Sequence, residues 1–140
     1  MKIAVVFWSQ TGNTEIMANK VAEGAQEAGA QVDILTPDAF NAGAVSGYDA
    51  IAFGCPAMGD EVLEEAEFEP MFADVEGALG GKKIALFGSY GWGDGQWMRD
   101  WAERCRNAGA NLIGEGLILN GTPDSDGEAQ CIELGKQIAG

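Results

Sequence analysis

The chain has 140 residues, with 8 Lys and Arg against 22 Asp and Glu, a formal net charge of −14 and no histidine. This acid excess argues against nucleic acid and anionic membrane as partners and favours the basic surfaces of other proteins. The lack of histidine removes histidine-based triads and argues against a zinc centre, so neither a metal site nor a catalytic set of that kind is expected.

At 46% hydrophobic and 21% charged, the composition is that of a globular protein. The length suits one domain spanning 1–140. No stretch reads as a membrane span or a leader, so a soluble cytoplasmic monomer is expected. Cys55, Cys105 and Cys131 are odd in number, far apart and without a CxxC pair, which suggests buried thiols.

An apolar run at 3–8 comes first. The uncharged turn Ser9-Gln10-Thr11-Gly12-Asn13-Thr14 follows it, and then a helical pattern runs from about 13 to 28. Such a turn aims free backbone N–H groups and the positive end of a helix dipole at one spot. Its hydroxyls and amide fit a phosphate held without cations, although the same composition also serves as a plain helix cap. It is neither a Walker A loop nor a GxGxxG fingerprint. Met17, Val21, Gly24 and Ala28 form the stripe expected to pack on a sheet.

A second strand is expected at 31–36, stopped by Pro37, then a short or irregular helix at 38–46 and a third strand at 49–54. Residues 64–78 are helical in composition, with Pro70 in a first turn or at a break. A fourth strand follows at 83–89. The next helix has Trp97, Trp101, Cys105 and Ala108 on one face. A fifth strand at 111–119 is loosened by Gly114 and Gly116, and a last helix at 128–139 has Cys131, Leu134 and Ile138 inward.

Strand and helix alternate five times, which implies a doubly wound five-stranded parallel sheet with helices on both faces. Ligands of such sheets sit beyond the carboxyl ends of the strands, here at loops 9–14, 55–61, 90–96 and 120–125. Two of these loops, Cys55-Pro56-Ala57-Met58-Gly59-Asp60-Glu61 and Ser89-Tyr90-Gly91-Trp92-Gly93-Asp94-Gly95, are Gly-rich and carry one large side chain each, Met58 and Trp92. That pairing suggests a slot for a flat ring, with Trp92 folded onto the core as the alternative. No basic residue lies between Lys20 and Lys82, and the run Asp60, Glu61, Glu64, Glu65, Glu67, Glu69 beside the slot has no compensating base in sequence.

These three motifs, in this order and across the whole chain, resemble the flavodoxins, and within them the short-chain members. The resemblance implies the 2-1-3-4-5 strand order and one non-covalently bound FMN. It also implies a low-potential one-electron carrier that shuttles between semiquinone and hydroquinone and is not an enzyme. It matches Ser9, Thr11, Asn13 and Thr14 to the phosphate loop, with Gln10 and Gly12 of the same turn in the cofactor-binding set. Met58 and Trp92 flank the ring, the Gly59 carbonyl turns toward flavin N5–H with rotation of the Gly59–Asp60 peptide, and Glu61 accepts from N3–H. Pro56, Ala57, Ser89, Tyr90, Gly91, Gly93 and Asn120 complete the cofactor-binding set. Gln10 stands where a small residue is common, and Pro56 where some relatives have Ser.

Two other readings compete with that one. An FMN-dependent NAD(P)H:quinone reductase on the same fold needs an open ring face, which two flanking side chains oppose. A receiver domain needs a carboxylate cluster after the first strand and a Lys ending the fifth. Trp8-Ser9 and Leu119-Asn120 supply neither.

Overall fold

The central place of the first strand follows from apolar side chains on both of its faces. In β1 (Lys2–Phe7), Ile3 and Val5 face one side while Ala4 and Val6 face the other, and all four are fully buried. A strand buried on both faces is central and covered by helices on each side. The computed structural model, which describes residues 1–59 and 61–140, has this arrangement. β1 pairs in parallel with β2 (Gln31–Leu35) and β3 (Ala50–Gly54), and β3 with β4 (Lys83–Tyr90). The order is β2-β1-β3-β4, with β5 (Asn111–Leu112) and then β6 (Leu117–Asn120) both parallel to β4.

The expected fifth strand is thus two short pieces on one edge. After Ile113 donates its N–H to the Ile84 carbonyl, the chain steps out of the ladder through Gly114 and Gly116, both at positive φ. Gly116 passes so close to Met98 that a Cβ there would overlap its side chain. Two glycines permit that detour at low steric cost.

Helices α1 (Asn13–Glu27) and α5 (Ser125–Ala139) cover one face with Met17, Val21, Cys131 and Ile138. They lie against each other at two glycines. A Cβ on Gly24 would overlap the Ile132 carbonyl, and one on Gly135 the Val21 carbonyl. The expected stripe on α1 is corrected at its end. Ala28 is exposed and caps the helix, and Ala25 is the last buried position. Asp124, whose side chain accepts the Gly127 N–H at 2.7 Å, starts α5 three residues earlier than its composition suggested.

The other face carries α2 (Ala42–Val45), α3 (Phe68–Glu76) and α4 (Gln96–Asn107). Phe68 and Phe72 stack, and Trp101 stands edge-on to both. The weak stretch after β2 forms a 3-10 turn (Pro37–Ala39) followed by α2. The expected helix 64–78 begins only at Phe68, which places Pro70 in the first turn, where its missing N–H costs nothing.

Candidate functional site

The ladder extends past the carboxyl ends of β1, β3 and β4 and ties three loops together. Trp8 donates its N–H to the Gly54 carbonyl at 3.0 Å, Cys55 to Phe87 at 3.1 Å and Ala57 to Ser89 at 3.1 Å. The fourth loop joins through Gly121, whose N–H reaches the Tyr90 carbonyl at 2.9 Å. Between them lies a cleft of about 190 Å³. Ser9, Gln10, Thr11, Asn13 and Thr14 line it from the first loop, Pro56, Ala57 and Met58 from the second, Ser89, Tyr90 and Gly91 from the third, and Gly121 from the fourth.

The first loop serves as both cap and cradle. The Ser9 hydroxyl accepts the Gly12 N–H at 3.2 Å and the Glu15 N–H at 3.3 Å, and Gly12 takes φ of 96° to admit this turn. The N–H groups of Gln10, Thr11, Asn13 and Thr14 have no hydrogen-bond partner among the described residues. These are the orphan donors of a helix start, and they surround a pocket whose lining has no Lys or Arg among the described residues. The cleft floor is the buried hydroxyl pair of Thr14 and Ser89, 2.9 Å apart. Thr122 donates to Asn13 Oδ1 at 3.0 Å, linking the fourth loop to the first. Such a donor set fits one terminal phosphate.

Met58 also lines a second depression, of about 350 Å³, with Gly59, Val62, Glu64 and Glu65. Met58 and Val62 exchange N–H to carbonyl bonds, both at 2.9 Å, as an isolated antiparallel bridge. Gly59 has φ of 49° and Glu61 φ of 58°. The rotation assigned to the Gly59–Asp60 peptide involves Asp60, which lies outside the described residues. The Glu61 carboxylate accepts the Asp94 N–H at 2.8 Å, clasping the second loop to the third, and it lies so close over Gly93 that a Cβ there would displace it. Trp92 stands 60% exposed, so it is not folded onto the core, and it lines neither depression. Asn120 is exposed at the end of β6, and Gly121 takes the place beside the cleft.

The acidic run is not one solvated face. Glu64 is buried and accepts the N–H groups of Ala66, Glu67 and Phe68 at 2.8, 2.7 and 2.9 Å. Burial by itself pushes its pKa up, but these three bonds hold the carboxyl below its ordinary value. Glu69 does have a compensating base, because Arg104 grips both of its oxygens at 2.7 Å and Glu76 as well. Arg99 folds back onto Asp94 at 3.0 Å, placing a cation beside the third loop. Glu65 and Glu67 remain exposed, and Glu67 accepts the Trp8 indole N–H at 3.5 Å.

The sequence reading missed Gly121 and Thr122. The loop at 120–125 was legible as a ligand-side loop, but nothing in its composition pointed to the bond that ties Thr122 to Asn13.

The sequence model of one family, described as Flavodoxin, matches residues 5–135. The chain belongs to the flavodoxin family. It is 48% identical to the flavodoxin of Clostridium beijerinckii over 96% of this chain and 97% of that one. It is 46% identical to that of Megasphaera elsdenii over 98% of each. The solution structure of two-electron reduced Megasphaera elsdenii flavodoxin superposes with a TM-score of 0.89 at 46% identity, again over 98% of each chain. A flavodoxin from the domain Archaea gives 0.88 at 26% identity over 99% of this chain and 96% of that one.

The flavodoxins are electron-transfer proteins rather than enzymes, they bind FMN, and they carry electrons to redox partner proteins; as a member of the family this chain is an FMN-binding electron carrier. The orphan N–H groups around the cleft and the absence of cations in its lining fit the phosphate of that cofactor. No helix of the described residues is long and apolar enough to cross a membrane.

Proposed function

We propose that the chain, as one domain over 1–140, is a low-potential carrier of single electrons. It works between its half-reduced and fully reduced forms, as a cytoplasmic monomer that docks on the basic surfaces of redox partners. The observation that carries this reading is the cation-free cleft ringed by unpartnered backbone N–H groups, opening beside exposed acids. Bound FMN supplies the redox chemistry, and the chain's residues decide affinity and potential.

In this reading the N–H groups at 10, 11, 13 and 14 and the hydroxyls of Ser9, Thr11 and Thr14 hold the phosphate. Met58 and Trp92 flank the ring, and Glu61 accepts from its pyrimidine edge while keeping its bond to Asp94. Pro56, Ala57, Ser89, Tyr90, Gly91 and Gly93 surround the ring, with Asn120 beside it. Gly59 gives the second loop freedom to present its carbonyl, since a glycine crosses positive φ without strain. Glu65 and Glu67 are net negative with no basic partner among the described residues, so they oppose further negative charge nearby and contribute a small part of the low potential.

The test is an anaerobic titration of the purified, FMN-loaded protein with dithionite, followed by visible absorption. Two well-separated one-electron steps are expected, with a stable neutral form between them. A single two-electron step, or steady NADH oxidation by the protein alone, would overturn the proposal.

A further inference from the structure

The Met58–Val62 bridge carries little of its own stability, being two hydrogen bonds at the tip of a loop. Its position is set at its root. The Glu64 backbone N–H, two residues past Val62, donates to Cys55 Sγ at 3.4 Å. Burial pushes the Cys55 thiol up to about 12, so it stays protonated, and it donates in turn to the Pro56 carbonyl at 3.6 Å. The Cys55 carbonyl accepts the Trp97 indole N–H at 3.2 Å. Glu64, a mostly buried residue in the wall of the second depression, holds the N–H groups of 66–68 with its carboxylate and accepts the Glu69 N–H on its backbone carbonyl at 2.8 Å, which together fix residue 64 against the start of α3.

We propose that Glu64 is the positioning residue for the ring-binding loop. By docking the root of the Met58–Val62 bridge onto α3 on one side and Cys55 on the other, it holds Met58 in place for the flavin ring. The inference rests on the flavin reading above and adds a residue that acts on the cofactor through Met58. It separates two jobs that a carboxylate in this acidic run has: Glu65 and Glu67 act through charge, whereas Glu64 acts through geometry. Pro56, Ala57 and Met58 help to wall the cleft, but the donors assigned to the phosphate all lie on the first loop, so a fault at Glu64 falls on the ring. FMN and riboflavin must therefore lose affinity by the same factor.

The experiment compares the parent, Glu64→Gln, Glu64→Ala and Arg104→Met for FMN and riboflavin dissociation constants by flavin-fluorescence titration. Apoprotein Tm and amide hydrogen exchange at Met58 and Val62 are measured alongside. Arg104→Met is the control, because it breaks the α3–α4 ion pairs on Glu69 and Glu76 while the Glu64 carboxylate keeps its three N–H groups and the Glu69 N–H can keep its bond to the Glu64 carbonyl. Glu64→Gln keeps one acceptor oxygen and sets an NH₂ against a backbone N–H, so it gives a graded loss if the alanine variant does not fold.

Both flavins are expected to bind about tenfold more weakly in a folded Glu64 variant, the scale seen when a supporting residue behind a site is lost. Exchange at Met58 and Val62 should accelerate, while Arg104→Met lowers Tm and leaves both constants alone. Glu64 variants that lose Tm with unchanged riboflavin affinity would reduce Glu64 to a helix cap. An equal loss of affinity in Arg104→Met would also overturn the proposal. A parent that binds neither flavin would remove the flavin reading itself and this inference with it.

Discussion

Thr11→Ala isolates the phosphate cradle better than any other change in the first loop. Ser9 cannot serve, since its hydroxyl caps two N–H groups of the turn and its loss disturbs the loop itself. Thr14 cannot either, because removing its hydroxyl leaves buried Ser89 short of a partner. Thr11 is exposed, lines the cleft, and its hydroxyl makes no hydrogen bond among the described residues. The apoprotein should therefore keep its Tm, and the whole effect should fall on the ligand. A hydrogen bond to a charged acceptor contributes about 1.5–3 kcal/mol, which corresponds to a loss of about 10- to 100-fold in FMN affinity. The assay is fluorescence titration of apoprotein with FMN and, in parallel, riboflavin, which lacks the phosphate. FMN affinity should fall and riboflavin affinity should not. If both fall equally, or neither does, the phosphate does not sit on this loop.

Trp92→Ala should leave the Tm of the apoprotein unchanged, given its 60% exposure, yet weaken FMN and riboflavin alike by about 1–3 kcal/mol, the worth of a ring stacked on an aromatic side chain. Equal affinity in the variant would mean that Trp92 does not touch the ring. Glu65→Gln with Glu67→Gln removes two exposed charges while preserving the acceptor for the Trp8 indole. At ~10 Å, each charge repels an added electron by roughly 0.4 kcal/mol in water, so the second reduction potential should rise by tens of mV at most. Reduction of cytochrome c should slow at low salt and recover parity at high salt; unchanged rates at low salt would make the pair a solubility feature. Gly135→Ala drives a methyl into the Val21 carbonyl and should cost about 1–3 kcal/mol, a Tm loss of about 3–10 °C by calorimetry, with flavin affinity at saturating folded protein unaltered. A Tm within 1 °C of the parent (about 0.3 kcal/mol) would show that the helices can part freely.

Local physics was enough to read the sheet from the sequence. Strands such as 3–6 and 84–87 are apolar at every position, and only a central parallel strand buries both faces. The Gly-, Ser- and Thr-rich turns at their carboxyl ends were legible for the same reason, because a helix start advertises its donors in the residues that precede it. Tertiary contact decided what the sequence could not rank. Glu64, Glu65, Glu67 and Glu69 look alike in the chain. One is buried as a cap, two are exposed, and one is held by Arg104, 35 residues away. Charge type is a property of the residue, but the field it exerts depends on burial and partners, and those come from elements distant in sequence. The Thr122 bond to Asn13 across 109 residues and the break of the edge strand at 113–116, where Met98 crowds Gly116, belong to the same class.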